Sequence, residues 1–162
     1  ATKQKKAMIN NISSNISYNE AVFSETAIRM DIDNTPNEVQ LQAMSLVADN
    51  VFQPVREHFC TPIYVSSFFR SIALNSALNG STNSSHTRGE AIDLDADVFN
   101  GVTNAEIFAY INEYLSFDQL IWEYGTDTEP NWIHVSFVSK SKNRNQVLKC
   151  VKENGITKYY QL

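Results

Sequence analysis

Two short segments of the chain alternate between apolar and polar side chains, and this alternation constrains the fold more than any other feature. WIHVSF at 132–137 and AIDLDAD at 91–97 each place an apolar residue at every second position. Successive residues of a strand point to opposite faces of a sheet. The pattern therefore predicts strands with one face in the core and an opposite face that carries His134 and Asp93.

Helices are predicted where a hydroxyl side chain precedes a glutamate by three residues, the spacing of a capping box. Three segments have this spacing: Ser17–Glu20, Thr35–Glu38 and Thr103–Glu106. Behind the second, Pro36 suits the first helical position, and apolar residues at three- and four-residue steps predict a long helix to about His58. A short helix is predicted around Ile72 to Leu78.

Other segments are rich in β-branched and aromatic residues and predict further strands. They are IYVSSFF at 63–69, FDQLIWE at 117–123 and the region near Tyr159 and Tyr160. Before the last of these, the four-residue spacing of Val147 and Val151 predicts a short helix.

A chain of 162 residues that is 43% hydrophobic can form one core. The irregular order of helices and strands predicts a single α+β domain with a mainly antiparallel central sheet flanked by helices. We expect residues 1–16 to be a flexible N-terminal segment and residues 17–162 to form the folded domain.

Charge and patterning argue against several classes of function. The net charge of −5 argues against a protein that binds nucleic acid by neutralising phosphates. No apolar run is long enough to span a membrane, and the basic start of the chain lacks the apolar region of a secretory signal. Cys60 and Cys150 fit no metal-binding spacing, so we expect small buried side chains rather than a disulfide framework.

The polar residues of the predicted open face are compatible with a metal site. His86 lies on a polar loop seven residues before Asp93, which is long enough for the loop to fold back beside the strand that carries Asp93. Two imidazoles and one carboxylate, with a fourth position left open, form a typical catalytic zinc set. The spacing alone leaves open the alternative that these are ordinary polar surface residues.

The surrounding residues resemble those of a known family. Ser84-x-His86-x-x-Gly89-x-Ala91-x-Asp93, followed by Trp132-Ile-His134-Val-Ser136, resembles the D-alanyl-D-alanine carboxypeptidase-like zinc peptidases, particularly their small phage and bacterial branch. This resemblance extends over most of the chain and implies a fold related to Hedgehog domains. It implies that His86, Asp93 and His134 bind one zinc ion, that Arg70 holds a substrate carboxylate or carbonyl, and that Ser84 contacts substrate or orients a ligand.

The sequence departs from this family at the catalytic acid, which commonly lies three residues before the last histidine ligand. That position is Asn131, and an amide cannot accept and return a proton at neutral pH. Three alternatives remain open: Glu129 acts as the base, Glu123 does so from a neighbouring strand, or the protein lacks efficient peptidase activity.

The resemblance implies a metallopeptidase that hydrolyses peptidoglycan stem peptides, as a D,D-carboxypeptidase or an L-Ala-D-Glu-type endopeptidase. The alternative, prompted by Asn131, is a catalytically weak or inactive zinc-binding module with a structural or wall-binding role. In either case we expect a peptidoglycan peptide as partner, no nucleic acid, and a monomer in preference to an oligomer. We expect synthesis in the bacterial cytoplasm, from a bacterial or a phage gene, and action on the wall after release or virion delivery.

Overall fold

A six-stranded sheet forms the centre of the computed structural model, which describes residues 11–162. The strands along the chain are β1 (Asn11–Ser13), β2 (Ile16–Ser17), β3 (Tyr64–Ser67), β4 (Ala91–Asp95), β5 (Gln119–Glu123), β6 (Trp132–Ser136), β7 (Gln146–Glu153) and β8 (Ile156–Gln161). The central sheet has the order β3-β4-β6-β5-β7-β8, and β1 pairs with β2 in a separate hairpin. Within the central sheet only β5 and β7 run parallel, so the predicted α+β fold with a mainly antiparallel sheet is confirmed.

Four helices precede β3 in the chain, one lies between β3 and β4, and one follows β4. They are α1 (Tyr18–Val22), α2 (Glu25–Arg29), α3 (Glu38–Val47), α4 (Gln53–Phe59), α5 (Ile72–Ala77) and α6 (Asn104–Tyr114). A π-helical turn, Ala48–Phe52, joins α3 to α4, so the predicted long helix ends within one residue of His58. Among residues 11–162, no helix has the length and apolar character needed to cross a membrane.

The sheet has one buried face, and the alternation of the sequence explains which side chains form it. Fully buried residues of the three central strands meet the helices there: Ile92, Leu94, Leu120, Ile133 and Val135. Helix α3 packs against β4, and α6 packs against β5 and β6. Each fully buried Val, Leu or Ile contributes about 1.5–3 kcal/mol through removal of apolar surface from water. The alternate residues therefore project from the opposite face.

The start of α3 differs from the sequence prediction. The N-cap is Asn37 rather than Thr35, so Pro36 precedes the helix. The Asn37 side chain accepts a hydrogen bond from the Gln40 backbone N–H at 2.8 Å, and the Gln40 side chain accepts one from the Asn37 N–H at 2.8 Å. An amide pair thus forms the capping box, and the expected hydroxyl–glutamate pair does not. The predicted box at Thr103 and Glu106 does form, at the start of α6.

The predicted short helix through Val147 and Val151 is wrong, because these residues lie in β7. A spacing of four keeps two residues on one face of a helix, but four is also an even number and keeps them on one face of a strand. Parallel pairing with β5 favours the strand, and β8 follows as predicted. The helix prediction was therefore wrong because a four-residue spacing of apolar residues fits a helix and a strand equally well.

The N-terminal hairpin packs on the same core as the helices. The N-terminal segment that we expected to be flexible comprises residues 1–16, of which residues 1–10 lie outside the described residues. Ile12 and Ile16 belong to the buried core, at 7% and 1% exposure. The Ser13 hydroxyl donates a hydrogen bond to the Gln53 side chain at 3.1 Å.

Candidate metal centre

His86 reaches the open face of the sheet from a short 3-10 turn, Ser85–Arg88, that precedes β4. The ring is buried at 3% exposure. Its Nδ1 is 2.7 Å from the carbonyl oxygen of Phe68. When Nδ1–H donates to that carbonyl, the Nε2 lone pair is directed away from Phe68 and towards Asp93, whose Oδ1 lies at 3.2 Å. A backbone carbonyl therefore sets both the orientation and the tautomer of this imidazole.

Asp93 and His134 lie directly opposite each other on the neighbouring strands β4 and β6. Asp93 Oδ1 is 3.0 Å from His134 Nδ1, and the Asp93 side chain is only 8% exposed. Burial alone would raise the pKa of the Asp93 carboxyl, yet the neighbouring imidazoles of His86 and His134 hold this pKa well below its usual range. The carboxyl group is therefore ionised, as a metal ligand must be.

One potential ligand atom from each of these three residues lies within 4.8 Å of the other two. The set contains two imidazole nitrogens and one carboxylate oxygen, without thiolates and with only three protein ligands. This is the donor chemistry of a catalytic zinc site, in which the fourth position is open to water or substrate. The residues present therefore fit zinc, and the structure brings together all three predicted ligands.

The turn that carries His86 is held against α3 by contacts with Gln40. Gln40 donates a side-chain hydrogen bond to the Thr87 carbonyl at 3.0 Å. Gly89, which ends the turn, has φ +73°, and a Cβ atom at this position would lie 2.5 Å from the Gln40 carbonyl oxygen. The glycine is therefore required by this close approach to α3.

Arg70 follows β3 and lies at the edge of the three-ligand cluster. Its Nη2 is 3.6 Å from Asp93 Oδ2, and its Nε donates a hydrogen bond to the Ser67 hydroxyl at 2.9 Å. The side chain is 21% exposed, so part of the guanidinium remains accessible. A groove of about 330 Å³ begins beside it and is lined by residues of β3, α2, α5 and the C-cap of α5, including Tyr64, Ser67, Glu25, Leu74 and Leu78.

Ser84 lies at the N-cap of the turn that carries His86. Its hydroxyl accepts a hydrogen bond from the His86 backbone N–H at 3.3 Å, and its carbonyl accepts one from the Thr87 hydroxyl at 2.6 Å. These contacts link Ser84 to the conformation of the turn. The resemblance implied that Ser84 contacts substrate or orients a ligand, and these hydrogen bonds correspond to the second role.

Glu123 lies on the metal face of the sheet, although it is distant from the ligands in sequence. Ile121 is opposite His134 across β5 and β6, and Glu123 follows two residues later on the same face. Diagonal neighbours in such a pair are about 7–8 Å apart, within reach of a long side chain. Burial raises the pKa of Glu123, the Asp93 carboxylate raises it further, and His134 and Arg70 oppose the increase. This carboxyl group therefore shares the electrostatic environment of the metal centre.

Of the other two candidates for the catalytic acid position, Glu129 is engaged by α6 and Asn131 lies at the surface. The Glu129 carboxylate accepts a hydrogen bond from the Ala105 backbone N–H at 3.1 Å and so contacts the first turn of α6. Asn131 is exposed, and its backbone N–H donates to the Glu123 carbonyl at 2.9 Å. The structure therefore brings Glu123, and not Glu129, to the side of the ligands.

Sequence reasoning missed Asn104, a fully buried residue that organises the loop before β6. Its side chain donates hydrogen bonds to Asp95 Oδ1 and to the carbonyls of Pro130 and Asn131, at 3.1–3.3 Å. It also accepts one from the Ala96 N–H at 2.7 Å. Asp95 is thereby engaged in loop structure, which leaves Asp93 as the carboxylate of this strand that faces the histidines. The only signal in the sequence was a polar residue directly after a predicted N-cap.

The third histidine, His58, lies outside the centre. Its ring stacks on Tyr110 with centroids 4.1 Å apart, where α4 meets α6. It lies in the last turn of α4, near the end of the long helix that the sequence predicted.

Comparison with known proteins agrees with the geometry of this centre. No curated protein matches the chain. A family model described as Peptidase M15 matches residues 14–136, a range that contains all three ligands together with Arg70, Ser84 and Glu123. The match covers well over half of the chain and agrees with the resemblance seen in the sequence motifs. The chain therefore belongs to the Peptidase M15 family, the zinc D-Ala-D-Ala carboxypeptidase-like peptidases.

Proposed function

We propose that this protein is a zinc-dependent peptidase that hydrolyses peptidoglycan stem peptides at a bond involving a D-residue or the first L-Ala. The observation that carries the proposal is the convergence of His86, Asp93 and His134 ligand atoms within 4.8 Å on the open face of the sheet. Membership of a peptidase family supports the reaction type. The reaction is that of a D,D-carboxypeptidase or an L-Ala-D-Glu-type endopeptidase.

His86, Asp93 and His134 would hold one zinc ion on the open face of the sheet. Bound zinc polarises a scissile carbonyl and lowers the pKa of a coordinated water. The hydrogen bond from His86 to the Phe68 carbonyl keeps one ligand in its binding tautomer, and Ser84 stabilises the turn that carries it. These contacts preorganise the site before substrate binds.

Glu123 is the general base in this proposal. It accepts a proton from the attacking water and returns it to the leaving amine. Its position on the metal face supports this role, and so does a pKa raised by burial, because a base is most effective when its pKa approaches the working pH. Asn131 can position water but cannot transfer the proton.

Arg70 binds a carboxylate or carbonyl group of the substrate. Its guanidinium is fixed by Ser67 and lies 3.6 Å from Asp93, with part of its surface exposed. A guanidinium stays charged and presents a planar fork of donors, which suits a carboxylate. The adjacent groove, whose lining combines Glu25 with the apolar side chains of Leu74 and Leu78, offers a place for substrate beside Arg70.

The test combines metal analysis with digestion of purified muropeptides. The wild type is expected to bind about one zinc per chain and to release stem-peptide fragments. His134→Ala should lose the metal, whereas Glu123→Gln should retain it and lose activity by at least about 100-fold. Normal zinc content in His134→Ala would contradict the metal assignment, and full activity in Glu123→Gln would contradict the role of Glu123.

A second candidate function follows from Asn131, the exposed amide at the position of the family's catalytic acid. In this alternative the protein binds zinc and wall peptides with little turnover. Asn131→Asp separates the two candidates, because it restores a carboxylate where the family has one. Activity that appears only in this variant would favour the zinc-binding module, and robust activity of the wild type would exclude it.

The proposed partner is a peptidoglycan peptide, with a monomer as the acting species. The proposed site of synthesis is the bacterial cytoplasm, with access to the wall by release or virion delivery. Identification of the cleaved bond by mass spectrometry of the fragments distinguishes the carboxypeptidase from the endopeptidase reaction.

A further inference from the structure

The C-terminal hairpin, β7 and β8, lies beyond residues 14–136, the part of the chain that matches the family. It nevertheless extends the central sheet next to β5, the strand that carries Glu123. Cys150 of β7 is opposite Glu123, and Tyr159 of β8 is opposite Cys150. The three side chains therefore form a row across three strands on the metal face of the sheet.

Cys150 is fully buried within this row. Its side chain adjoins the Glu123 carboxyl group and the Tyr159 side chain across the paired strands, and both groups, with Tyr124, influence the pKa of its thiol. Burial, with the nearby Glu123 carboxylate, raises the pKa of Cys150 to about 11. The side chain therefore remains a thiol at neutral pH and can act as a donor. The other cysteine, Cys60, is exposed and its thiol donates to a backbone carbonyl at the end of α4.

We propose that Cys150 is a positioning residue whose thiol donates a hydrogen bond to the Glu123 carboxylate and fixes it on the metal face, with Tyr159 orienting the thiol. A buried carboxylate is costly unless a donor satisfies it. The apolar alternative, a side chain that merely fills space, would not supply that donor. This inference rests on the proposed function of Glu123 and adds a contribution of the C-terminal hairpin to the site.

The first test is spectroscopic and uses the metal-free protein. A Cys60→Ala background leaves Cys150 as the single thiol, so its S–H stretching band can be observed alone by infrared spectroscopy. We expect a band at lower frequency than that of a free thiol, because donation weakens the S–H bond. Glu123→Leu removes the acceptor and should move the band to higher frequency. A band that stays unchanged in Glu123→Leu would overturn the inference.

The second test separates the hydrogen bond from packing. Cys150→Val retains approximately the same volume without a donor, and Cys150→Ser retains a donor at the same place. We expect kcat on muropeptides to fall about 10- to 100-fold in Cys150→Val, because a misplaced catalytic group costs rate steeply. KM and zinc content should stay within about twofold, and Cys150→Ser should recover most of kcat. Cys60→Ala is the matched control and should retain wild-type kcat.

The outcomes distinguish this inference from the proposed function. Wild-type kcat in Cys150→Val, together with an inactive Glu123→Gln, would overturn the positioning role and leave Glu123 as the base. Wild-type kcat in Glu123→Gln would instead contradict the proposed function. If the wild type itself shows no turnover, the infrared band alone decides whether the thiol donates to Glu123.

Discussion

At the residue scale, two glycines with nearly the same backbone conformation have different surroundings. Gly89 has φ +73° and Gly155 has φ +77°. A Cβ atom on Gly89 would lie 2.5 Å from the Gln40 carbonyl oxygen and 2.9 Å from Met44 Cγ, whereas nothing lies within 4 Å of one on Gly155. The pair therefore separates the energetic effect of a left-handed backbone from that of a steric contact beside His86.

We expect Gly155→Ala to lower the free energy of unfolding by about 1 kcal/mol, the cost of a left-handed alanine. Gly89→Ala should lower it by about 3 kcal/mol, because strain and overpacking against α3 add to that cost. Gly89→Ala should also weaken zinc binding, since the His86 turn must shift. Chemical denaturation and zinc titration of both variants measure these effects. Equal losses of stability in the two variants would show that the contact with Gln40 has no energetic importance.

Single residues also show what the sequence could and could not predict about the site. Asp93 and His134 could be placed on one face because strand alternation is a local property. The choice between Glu123 and Glu129 depended on the tertiary structure. Glu129 is engaged by the Ala105 N–H of α6, and Glu123 reaches the metal face only through the pairing of β5 with β6. Neither contact has a signal in local spacing.

At the scale of elements, α3 determines the position of the His86 turn, so its first residue is important. The Asn37 side chain accepts from the Gln40 N–H, and the Gln40 side chain in turn donates to the Thr87 carbonyl. The cap of the helix and the support of the turn therefore share Gln40.

Asn37→Ala is expected to lower the free energy of unfolding by about 1 kcal/mol, the usual effect of a lost N-cap. Thr35→Ala is the matched control, because Thr35 has the spacing of a cap in the sequence but lies before the helix in the structure. Its effect should be close to zero. Thermal or urea unfolding of the two variants provides the measurement, and a larger loss in Thr35→Ala would place the start of the helix at Thr35.

Elements with a strong periodic pattern could be predicted, and those with an ambiguous period could not. Strands β4 and β6 alternate strictly and form as expected. In β7 the spacing of Val147 and Val151 fits a helix and a strand equally, and the pairing with β5 decides between them. The C-terminal hairpin that brings Cys150 beside Glu123 therefore depends on a contact between strands that are separated by β6 and a long loop in sequence.

At the scale of the whole molecule, the metal centre joins parts of the chain that are distant in sequence. His86 comes from the turn held by α3, Asp93 from β4 and His134 from β6, while the Phe68 carbonyl that orients His86 follows β3. A bound zinc ion would link these elements in the native state and would have no comparable site in the unfolded chain. Zinc binding should therefore contribute to global stability as well as to catalysis.

We expect zinc at 100 times its dissociation constant to raise the free energy of unfolding by about 2.7 kcal/mol, and a chelator to reverse the increase. His86→Ala should abolish this difference, because it removes one ligand. His58→Ala is the control, since His58 stacks on Tyr110 away from the centre, and it should retain the full zinc-dependent difference. Unfolding curves of the three proteins with zinc and with chelator provide the measurement. A zinc-dependent increase that survives in His86→Ala and disappears in His58→Ala would place the stabilising ion at the α4–α6 contact instead of the sheet.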